Sequence, residues 1–231
     1  MEYKDRKKDI VEILYEKGKI TVSELANALF VTEMTIRRDL IELEKSGVVK
    51  RYRGGAVLNA MSSEMPVSQR FFVSQNEKID LAKRAASFLD HDMVVFIDSS
   101  STCQYIIPYV TRFKNVTVIT NSVNALLMAS KSKIPCILIG GNYCDRDMCF
   151  TGTIAEQYAR QFNVDVAFFS CLGLSKEGVI SDHDVEQSTI RKIMLGQSKK
   201  NIFLFEGSKL NKTYFYTVCK RDEVDEVIVS T

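Results

Sequence analysis

The stretch TVSELANALFVTEMTIRRDLIELEKSG, residues 21–47, places two adjacent arginines within an amphipathic helical pattern that follows a shorter one. Thr21 is followed three residues later by Glu24, which is the spacing of a capping box and predicts a helix start. Thr32 is expected to cap the next helix, which runs to about residue 46 and stops at Gly47. The predicted buried stripe of that helix consists of Ile36, Leu40 and Leu43. The stretch therefore predicts two helices joined by a tight turn.

The flanking residues extend this pattern on both sides. Apolar residues repeat at helical spacing over about 6–17, and Gly18 is expected to end that first helix. On the other side, VVKRYRGGAVL (48–58) predicts two short strands around a basic Gly-Gly turn. Helix, turn and helix followed by a basic hairpin is the pattern of a winged helix-turn-helix.

A DNA-binding role follows for the outward face of the third helix and for the hairpin. Arginine reads guanine through two hydrogen bonds, threonine contacts a thymine methyl or a phosphate, and basic hairpin residues contact phosphates or the minor groove. The predicted DNA-binding residues are Thr32, Glu33, Thr35, Arg37, Arg38, Lys50, Arg51 and Arg53. The alternative is that the arginine pair only forms ion pairs with Glu33, Glu42 or Glu44 on a solvated helix.

Charge and cysteine usage narrow the class of protein. The net charge of +2 lies in residues 1–58, which hold 12 Lys and Arg against 10 Asp and Glu, and this weakly favours a polyanionic partner. The 6 cysteines form no CxxC pair and no cluster with the 2 histidines, so neither a metal site nor a disulfide framework is expected. No apolar run is long enough for a membrane span, and the N-terminus does not resemble a secretory signal. A cytoplasmic protein is expected.

The rest of the chain predicts a second, larger domain. Residues 59–70 lack periodicity, and the predicted organisation is a DNA-binding domain over 1–58, a linker over 59–74 and an effector-sensing domain over 75–231. Near-continuous apolar strands separated by helices predict an α/β, Rossmann-like fold with a mainly parallel sheet. The predicted strands are VVFID (94–98), VTVIT (116–120), CILIG (136–140), VAFFS (166–170), IFLF (202–205) and VIVS (227–230).

Polar residues and glycines follow three of these strands. VVFID ends in Asp98 and continues into a Ser and Thr run, VTVIT continues into Asn121-Ser122, and CILIG ends at Gly140-Gly141. Hydroxyls and free backbone N–H groups at helix starts, beyond the carboxyl ends of parallel strands, form a good anion site. The pattern predicts a pocket for a small phosphorylated ligand.

Residues 22–56 closely resemble the DeoR family of bacterial transcriptional regulators. The resemblance rests on the run TIRRDL…LE…G…R…GGA and continues through "DSSST", "VITNS", "LIGG", "FTG" and "EGSK" in the larger domain. It implies a sensor domain similar in fold to ribose-5-phosphate isomerase and glucosamine-6-phosphate deaminase, which binds a phosphosugar or related metabolite and then weakens DNA binding. It also implies a homo-dimer or homo-tetramer built through that domain.

The resemblance carries the effector site onto specific residues of this chain. They are Asp98, Ser99, Ser101, Thr102, Thr120, Asn121, Ser122, Gly140, Gly141, Gly152, Glu206 and Lys209. Lys209 is the candidate for the phosphate, whereas Asp98 and Glu206 would accept hydrogen bonds from sugar hydroxyls. Three positions depart from the family pattern. Ser100 and Glu206 stand where glycine and aspartate are usual, and Ile190 stands where a lysine is frequent.

Three functions compete at this point. The first is a repressor of a sugar-metabolism operon, without catalytic residues, metal or cofactor. The second is a sugar-phosphate isomerase or deaminase fused to a DNA-binding domain, for which Asp98, Glu186 and Glu206 are available general bases with His183 nearby. The third is a ligand-independent architectural DNA binder. The sequence specifies neither the sugar nor the operator.

Overall fold

Two units make up the chain in the computed structural model, Met1–Gln75 and Asn76–Thr231. The structure describes residues 3–45, 48–58 and 65–230. The helix end expected at Gly47 and residues 59–64 of the expected linker lie outside the described residues.

The first unit contains the helix-turn-helix and hairpin that the sequence predicts. Its elements are α1 (Tyr3–Lys17), β1 (Lys19–Thr21), α2 (Val22–Ala28), α3 (Glu33–Lys45), β2 (Val49–Tyr52), β3 (Gly55–Leu58) and α4 (Val67–Arg70). The Thr21 hydroxyl accepts from the Glu24 N–H at 3.2 Å and the Glu24 carboxylate accepts from the Thr21 N–H at 2.8 Å, so the capping box is confirmed. The Thr32 hydroxyl accepts from the Thr35 N–H at the start of α3.

A small antiparallel sheet in the order β1-β3-β2 completes this unit. Strand β1 was not expected, because three residues between two helices carry too little alternation to predict a strand. The core joins the apolar faces of the helices to this sheet. Its fully buried residues include Ile10, Leu14, Leu25, Ile36 and Leu40.

Part of the segment expected to be linker belongs to the core of the first unit. Met65 and Val73 are each only 7% exposed and pack in that core, and α4 lies between them. The two units divide after Gln75. The apolar residues of this segment do not recur at a regular helix or strand spacing, so their contribution leaves no periodic pattern in the sequence.

The second unit is built on a six-stranded parallel sheet. Its elements follow α5 (Gln75–Ala85) and are β4 (Val94–Ile97), α6 (Ile107–Val110), β5 (Thr117–Thr120), α7 (Val123–Lys131), β6 (Cys136–Leu138), β7 (Asn142–Cys144), β8 (Cys149–Thr151), α8 (Gly152–Ala159), β9 (Val164–Phe169), β10 (Gly173–Leu174), β11 (Val179–Asp182), α9 (Val185–Gly196), β12 (Ser198–Phe205), β13 (Tyr216–Lys220) and β14 (Glu226–Val229). The strand order is β14-β12-β9-β4-β5-β6, and every neighbouring pair is parallel. All six predicted strands lie in this sheet, so the predicted α/β class is confirmed.

Aromatic packing holds the middle of the sheet together. The ring of Phe169 lies 5.7 Å from that of Phe96 and 5.1 Å from that of Phe203, on three adjacent strands. These side chains are fully buried, and burying each one contributes about 1.5–3 kcal/mol to stability. Fixing β9, β4 and β12 in this way also fixes where the residues after each strand emerge.

Two antiparallel additions accompany the parallel sheet. Strands β7 and β8 form a hairpin, and β10, β11 and β13 form a three-stranded sheet in that order. Within the described residues, no helix is both long and apolar enough to cross a lipid bilayer.

Candidate functional site

Helix α3 presents one of its two arginines more freely than the other. The Arg37 guanidinium binds the Glu33 carboxylate at 2.7 Å, one helical turn earlier. The Arg38 side chain is 77% exposed, and its Nε lies 4.0 Å from the Glu42 carboxylate. Arg38 is therefore the arginine of this pair that projects further from the protein.

The TIRRDL stretch also carries a buried charge. Asp39 is fully buried and accepts from Arg6 of α1 at 2.5 and 3.2 Å. This ion pair ties α1 to α3 and so fixes the orientation of the helix that carries Arg38. Because Asp39 stands in a charged run, its local sequence gives no sign that it is buried.

The predicted DNA-binding residues of the hairpin differ in what they contact. The Arg51 N–H and guanidinium donate to the Glu44 carboxylate at 3.0 and 2.7 Å, and these two contacts lower the pKa of Glu44. Lys50 and Arg53 are exposed, with Arg53 at the turn between β2 and β3. Arg51 therefore links the hairpin to α3, whereas Lys50 and Arg53 extend from it.

In the second unit, the polar residues that follow the parallel strands meet at one edge of the sheet, here called the carboxyl edge. The connection after β4 leads to β5 on one side, while β9 lies on its other side. A change of direction of this kind opens a crevice beyond the strand ends, which is where open α/β sheets bind ligands.

Asp98 is buried at the centre of the carboxyl edge and is fully engaged. One carboxylate oxygen accepts from the Ser100 hydroxyl at 2.5 Å, and the other accepts from the Ser170 N–H and from Arg191 Nε, both at 3.1 Å. Arg191 is only 5% exposed and also binds Asp182 at 3.2 Å. The structure therefore makes Asp98 the anchor of the loop after β4. The extra hydroxyl of Ser100 is used within the protein.

A second buried cluster lies at the end of β12. The Glu206 carboxylate is 2% exposed and binds Lys209 Nζ at 2.7 Å and the Thr102 hydroxyl at 2.5 Å. Burial alone would raise the pKa of Glu206, but Lys209, Lys78 and the hydrogen bonds from Lys209 and Thr102 outweigh it and hold that pKa at about 2. Glu206 is therefore a stable carboxylate.

Two lysines converge on this carboxylate. Lys209 Nζ also donates to the Ser170 hydroxyl at 2.8 Å, and its side chain keeps 19% exposure. Lys78 of α5 lies 4.0 Å from Glu206 and donates to the Ser101 hydroxyl at 3.0 Å. The Lys78, Glu206 and Lys209 cluster carries a net charge of +1, whereas the Asp98, Arg191 and Asp182 cluster carries −1. The charge therefore changes sign along the carboxyl edge.

The loop after β4 is connected to α9 and to the β7–β8 hairpin through one glutamine. The Ser99 hydroxyl donates to Gln187 Oε1 at 2.9 Å, and Gln187 Nε2 donates to Asp147 at 2.9 Å. Arg146 binds both Asp147 and Asp184. A change in the loop at Ser99 can reach the hairpin through these contacts.

The residues after β5 shape the other end of the carboxyl edge. The Ser122 hydroxyl caps α7 by accepting from the Ala125 N–H, and the Thr120 hydroxyl accepts from the Ser122 N–H. Gln104 donates to the Ser122 hydroxyl at 3.3 Å. Gln104 Oε1 and Asn121 Oδ1 are buried acceptors without a hydrogen-bond partner among the described residues. Buried acceptors of this kind usually bind a water molecule or a ligand group.

The three predicted glycines are not equivalent. A side chain at Gly141 would meet the Thr151 carbonyl oxygen at 2.6 Å, and Gly152 has φ +85 with Asn142 beside it. The absence of a side chain at both positions therefore allows the β7–β8 hairpin to lie close to the start of α8. Gly140 has open space around the position of a side chain.

The structure thus gathers Asp98, Ser99, Ser101, Thr102, Glu206 and Lys209 at the carboxyl edge, with Thr120, Asn121 and Ser122 beside them. Four further residues take part in these contacts without any sequence pattern that marks them: Lys78, Gln104, Ser170 and Gln187. Arg191 lies between two buried carboxylates, those of Asp98 and Asp182. Within the described residues, no group of His, Cys, Asp and Glu side chains fits a metal ion.

Comparison with known proteins agrees with this division into two units. A model of the DeoR-like helix-turn-helix domain matches residues 6–62, and a model of the DeoR C terminal sensor domain matches residues 73–231. This chain belongs to the DeoR family. The DeoR-family chain is accordingly a helix-turn-helix transcriptional regulator with a sensor domain.

Relatives cover nearly the whole DeoR-family chain. The "Uncharacterized HTH-type transcriptional regulator YulB" of Bacillus subtilis is 32% identical over 98% of this chain and 88% of its own length. The "HTH-type transcriptional repressor GlcR" of Bacillus subtilis is 30% identical over 95% and 85%, and the "L-fucose operon activator" of Haemophilus influenzae is 29% identical over 98% and 91%. Ribose 5-phosphate isomerase A of Methanocaldococcus jannaschii aligns with a TM-score of 0.44 and 19% identity over 59% of this chain and 54% of that chain.

Proposed function

We propose that this DeoR-family chain represses an operon for sugar uptake or breakdown, and that a phosphorylated sugar bound at the carboxyl edge releases it from DNA. The main support for this proposal is the Lys78, Glu206 and Lys209 cluster, which places an excess positive charge among hydroxyls at the carboxyl edge. Such a cluster suits a phosphate group, which lysine binds as a point charge. Repression is supported by relatives named as repressors, although one relative is named as an activator.

Lys209 is the proposed phosphate ligand, and the sugar is proposed to lie towards β5. Asp98 and Glu206 already accept several hydrogen bonds within the protein. They are therefore better suited to stabilising the loops than to accepting hydrogen bonds from sugar hydroxyls. The Asn121 amide oxygen has no donor among the described residues and is the better acceptor for a sugar hydroxyl. Gln104 Oε1 is a second acceptor of the same kind.

Sensing without turnover is also part of the proposal. An isomerase needs a general base that can take a proton from the sugar, and the low pKa of Glu206 makes that carboxylate a weak base. Incubation with a panel of sugar phosphates should therefore return each compound unchanged. Turnover of any one of them would favour the enzyme alternative. The proposed location is the cytoplasm, where operator DNA and phosphorylated sugars are both present.

A ligand screen with a matched pair of lysine variants tests the effector site. Sugar phosphates and the corresponding phosphate-free sugars are compared by thermal shift, since a ligand at 100 times its Kd stabilises the folded protein by about 2.7 kcal/mol. Lys209→Ala should lose the shift and should stay on DNA at inducer concentrations that release the wild type. Lys212→Ala, in an exposed lysine three residues later, should respond like the wild type. Equal release of Lys209→Ala and wild type would place the phosphate elsewhere.

A further inference from the structure

The exposed side of helix α3, opposite its buried side, includes two apolar side chains. Its buried residues are Ile36, Asp39, Leu40 and Leu43. With 3.6 residues per turn, the opposite side of the helix carries Met34, Arg38, Ile41 and Lys45, here called the outer row. Met34 is 73% exposed and Ile41 is 38% exposed.

Exposed apolar side chains concentrate around this helix. In the described part of the first unit, the large apolar side chains that are exposed are Phe30, Met34, Ile41, Tyr52 and Phe72. Four of these five lie in the turn before α3, on α3 itself or in the hairpin. Phe30 is 95% exposed and has φ +54, a backbone conformation that is rare for a bulky residue. A single exposed apolar side chain is ordinary, but a concentration on one functional element marks a binding surface.

The chemistry of the major groove offers one apolar partner for such a residue. Thymine carries a C5-methyl group there, whereas the other base edges present hydrogen-bond donors and acceptors. Methionine is unbranched, flexible and polarisable, so it can follow a methyl group in a groove of irregular shape. We propose that Met34 determines part of the operator sequence by packing against a thymine methyl in the major groove. This inference rests on the proposed binding of operator DNA through α3.

The outer row also sets where that thymine lies. Arg38 follows Met34 by four residues, which is about 6 Å along the helix axis. Successive base pairs are about 3.4 Å apart. The thymine should therefore lie about two base pairs from the guanine that Arg38 reads, with Arg38 supplying the polar contact and Met34 the apolar one.

Removal of a single methyl group from the DNA tests the contact directly. Duplexes are first selected from a random library by the full-length wild-type protein, and each thymine of the selected site is then replaced singly by deoxyuridine, which lacks the methyl. The wild type should lose about fourfold in affinity at one thymine of each half-site, the factor expected when one methyl-sized apolar contact is lost. Met34→Ala should bind the unmodified site about fourfold more weakly and should lose nothing further on that replacement.

Three further variants separate the contact from general effects. Met34→Leu keeps an apolar side chain and should retain the preference for thymine over uracil at that position. Arg38→Ala should bind more weakly overall and keep the same preference. Leu127→Ala removes a side chain that is 58% exposed on α7 of the second unit and should behave as wild type.

Two results would overturn the inference alone. One is a wild type that distinguishes thymine from uracil at no position, and the other is a Met34→Ala variant that distinguishes them as well as the wild type does. If the wild type selects no sequence from the library, the proposed DNA binding fails together with the inference.

Discussion

Arg37 and Arg38 are neighbours in the sequence, yet their contacts differ. Arg37 is held at 2.7 Å by Glu33, whereas Arg38 is 77% exposed and only loosely approached by Glu42. Ion pairing therefore describes Arg37, whereas Arg38 stays available for the DNA contact that the sequence predicts. An arginine that is already paired must give up that partner before it can bind a base.

Replacement of each arginine by alanine should separate these roles. Arg38→Ala should lose about 1–3 kcal/mol of operator-binding free energy, the value of one bidentate contact to a base. Arg37→Ala should lose less operator-binding free energy, because the Arg37 guanidinium is already paired with the Glu33 carboxylate. Fluorescence anisotropy with the selected duplex measures both, and thermal unfolding should be unchanged in both. Operator affinity equal to wild type in Arg38→Ala would remove Arg38 from sequence reading.

Glu206 should make the stability of the second unit sensitive to acid. Its pKa of about 2 lies below the ordinary value of 4.5, so its ionised form stabilises the folded state above about pH 4.5, and this contribution is lost as the pH falls towards 2. The shift corresponds to about 3 kcal/mol at most. Urea unfolding at pH 7 and pH 3 should therefore show a smaller loss for Glu206→Gln than for wild type.

An exposed carboxyl provides the comparison for that measurement. Glu226→Gln, on the outer strand β14, should lose stability between the two pH values as the wild type does. A pH dependence of Glu206→Gln identical to that of wild type would show that Glu206 is not held by Lys209 and Lys78 in the folded protein.

At the scale of elements, one arginine joins α9 to the loop after β4. Arg191 binds Asp98 and Asp182, and all three side chains are buried. Arg191→Met would leave both carboxylates without their cation, and loss of one partner from a buried pair costs about 3–5 kcal/mol. Chemical denaturation should show a loss of this size. The neighbouring Lys192 is exposed and lies over the Tyr216 ring. The substitution Lys192→Met should therefore lower the free energy of unfolding much less. Equal losses would argue against the ion pairs as the cause.

The sequence predicts those elements whose pattern is local. Runs such as VVFID and IFLF are apolar over their whole length, so a parallel strand covered on both faces is the expected outcome. Strands β10 and β11 are only two and four residues long. Strand β11 also pairs with β13, more than thirty residues further along the chain, and this pairing leaves no local pattern. Strand β1 is likewise too short for a recognisable alternation, and its partner β3 also lies more than thirty residues away.

The candidate site divides in the same way. Residues such as Asp98 and Glu206 directly follow strands, so their meeting at one edge could be predicted from the parallel arrangement. Lys78 lies on α5, ahead of β4, and Gln187 reaches Ser99 only because α9 packs beside β9 and β12. Tertiary packing brings these side chains to the site, and no sequence spacing specifies it.

At the scale of the whole molecule, one winged unit is too small for selective binding on its own. A single module of this kind buries about 600–1,000 Å² of protein surface on DNA, and helix-turn-helix proteins usually gain selectivity by binding repeated half-sites as dimers. The chain should therefore sediment as a dimer or tetramer at micromolar concentration, and the selected duplexes should contain a repeated half-site. A monomer that binds a single half-site tightly would contradict this expectation.

The position of β9 in the sheet affects how the chain is made. β9 lies between β4 and β12, and Phe205 at the end of β12 is 36 residues beyond Phe169 at the end of β9. At roughly 5–20 residues per second, a ribosome needs about 2–7 s to synthesise that interval. An interval of this length separates the emergence of β9 from that of β12, and during it the apolar segment VDVAFF has one strand edge unpaired, which is a template for aggregation. Slow codons that delay the emergence of β12 after β9 has left the ribosome should therefore lower the yield of folded protein more than slow codons before β9 is synthesised.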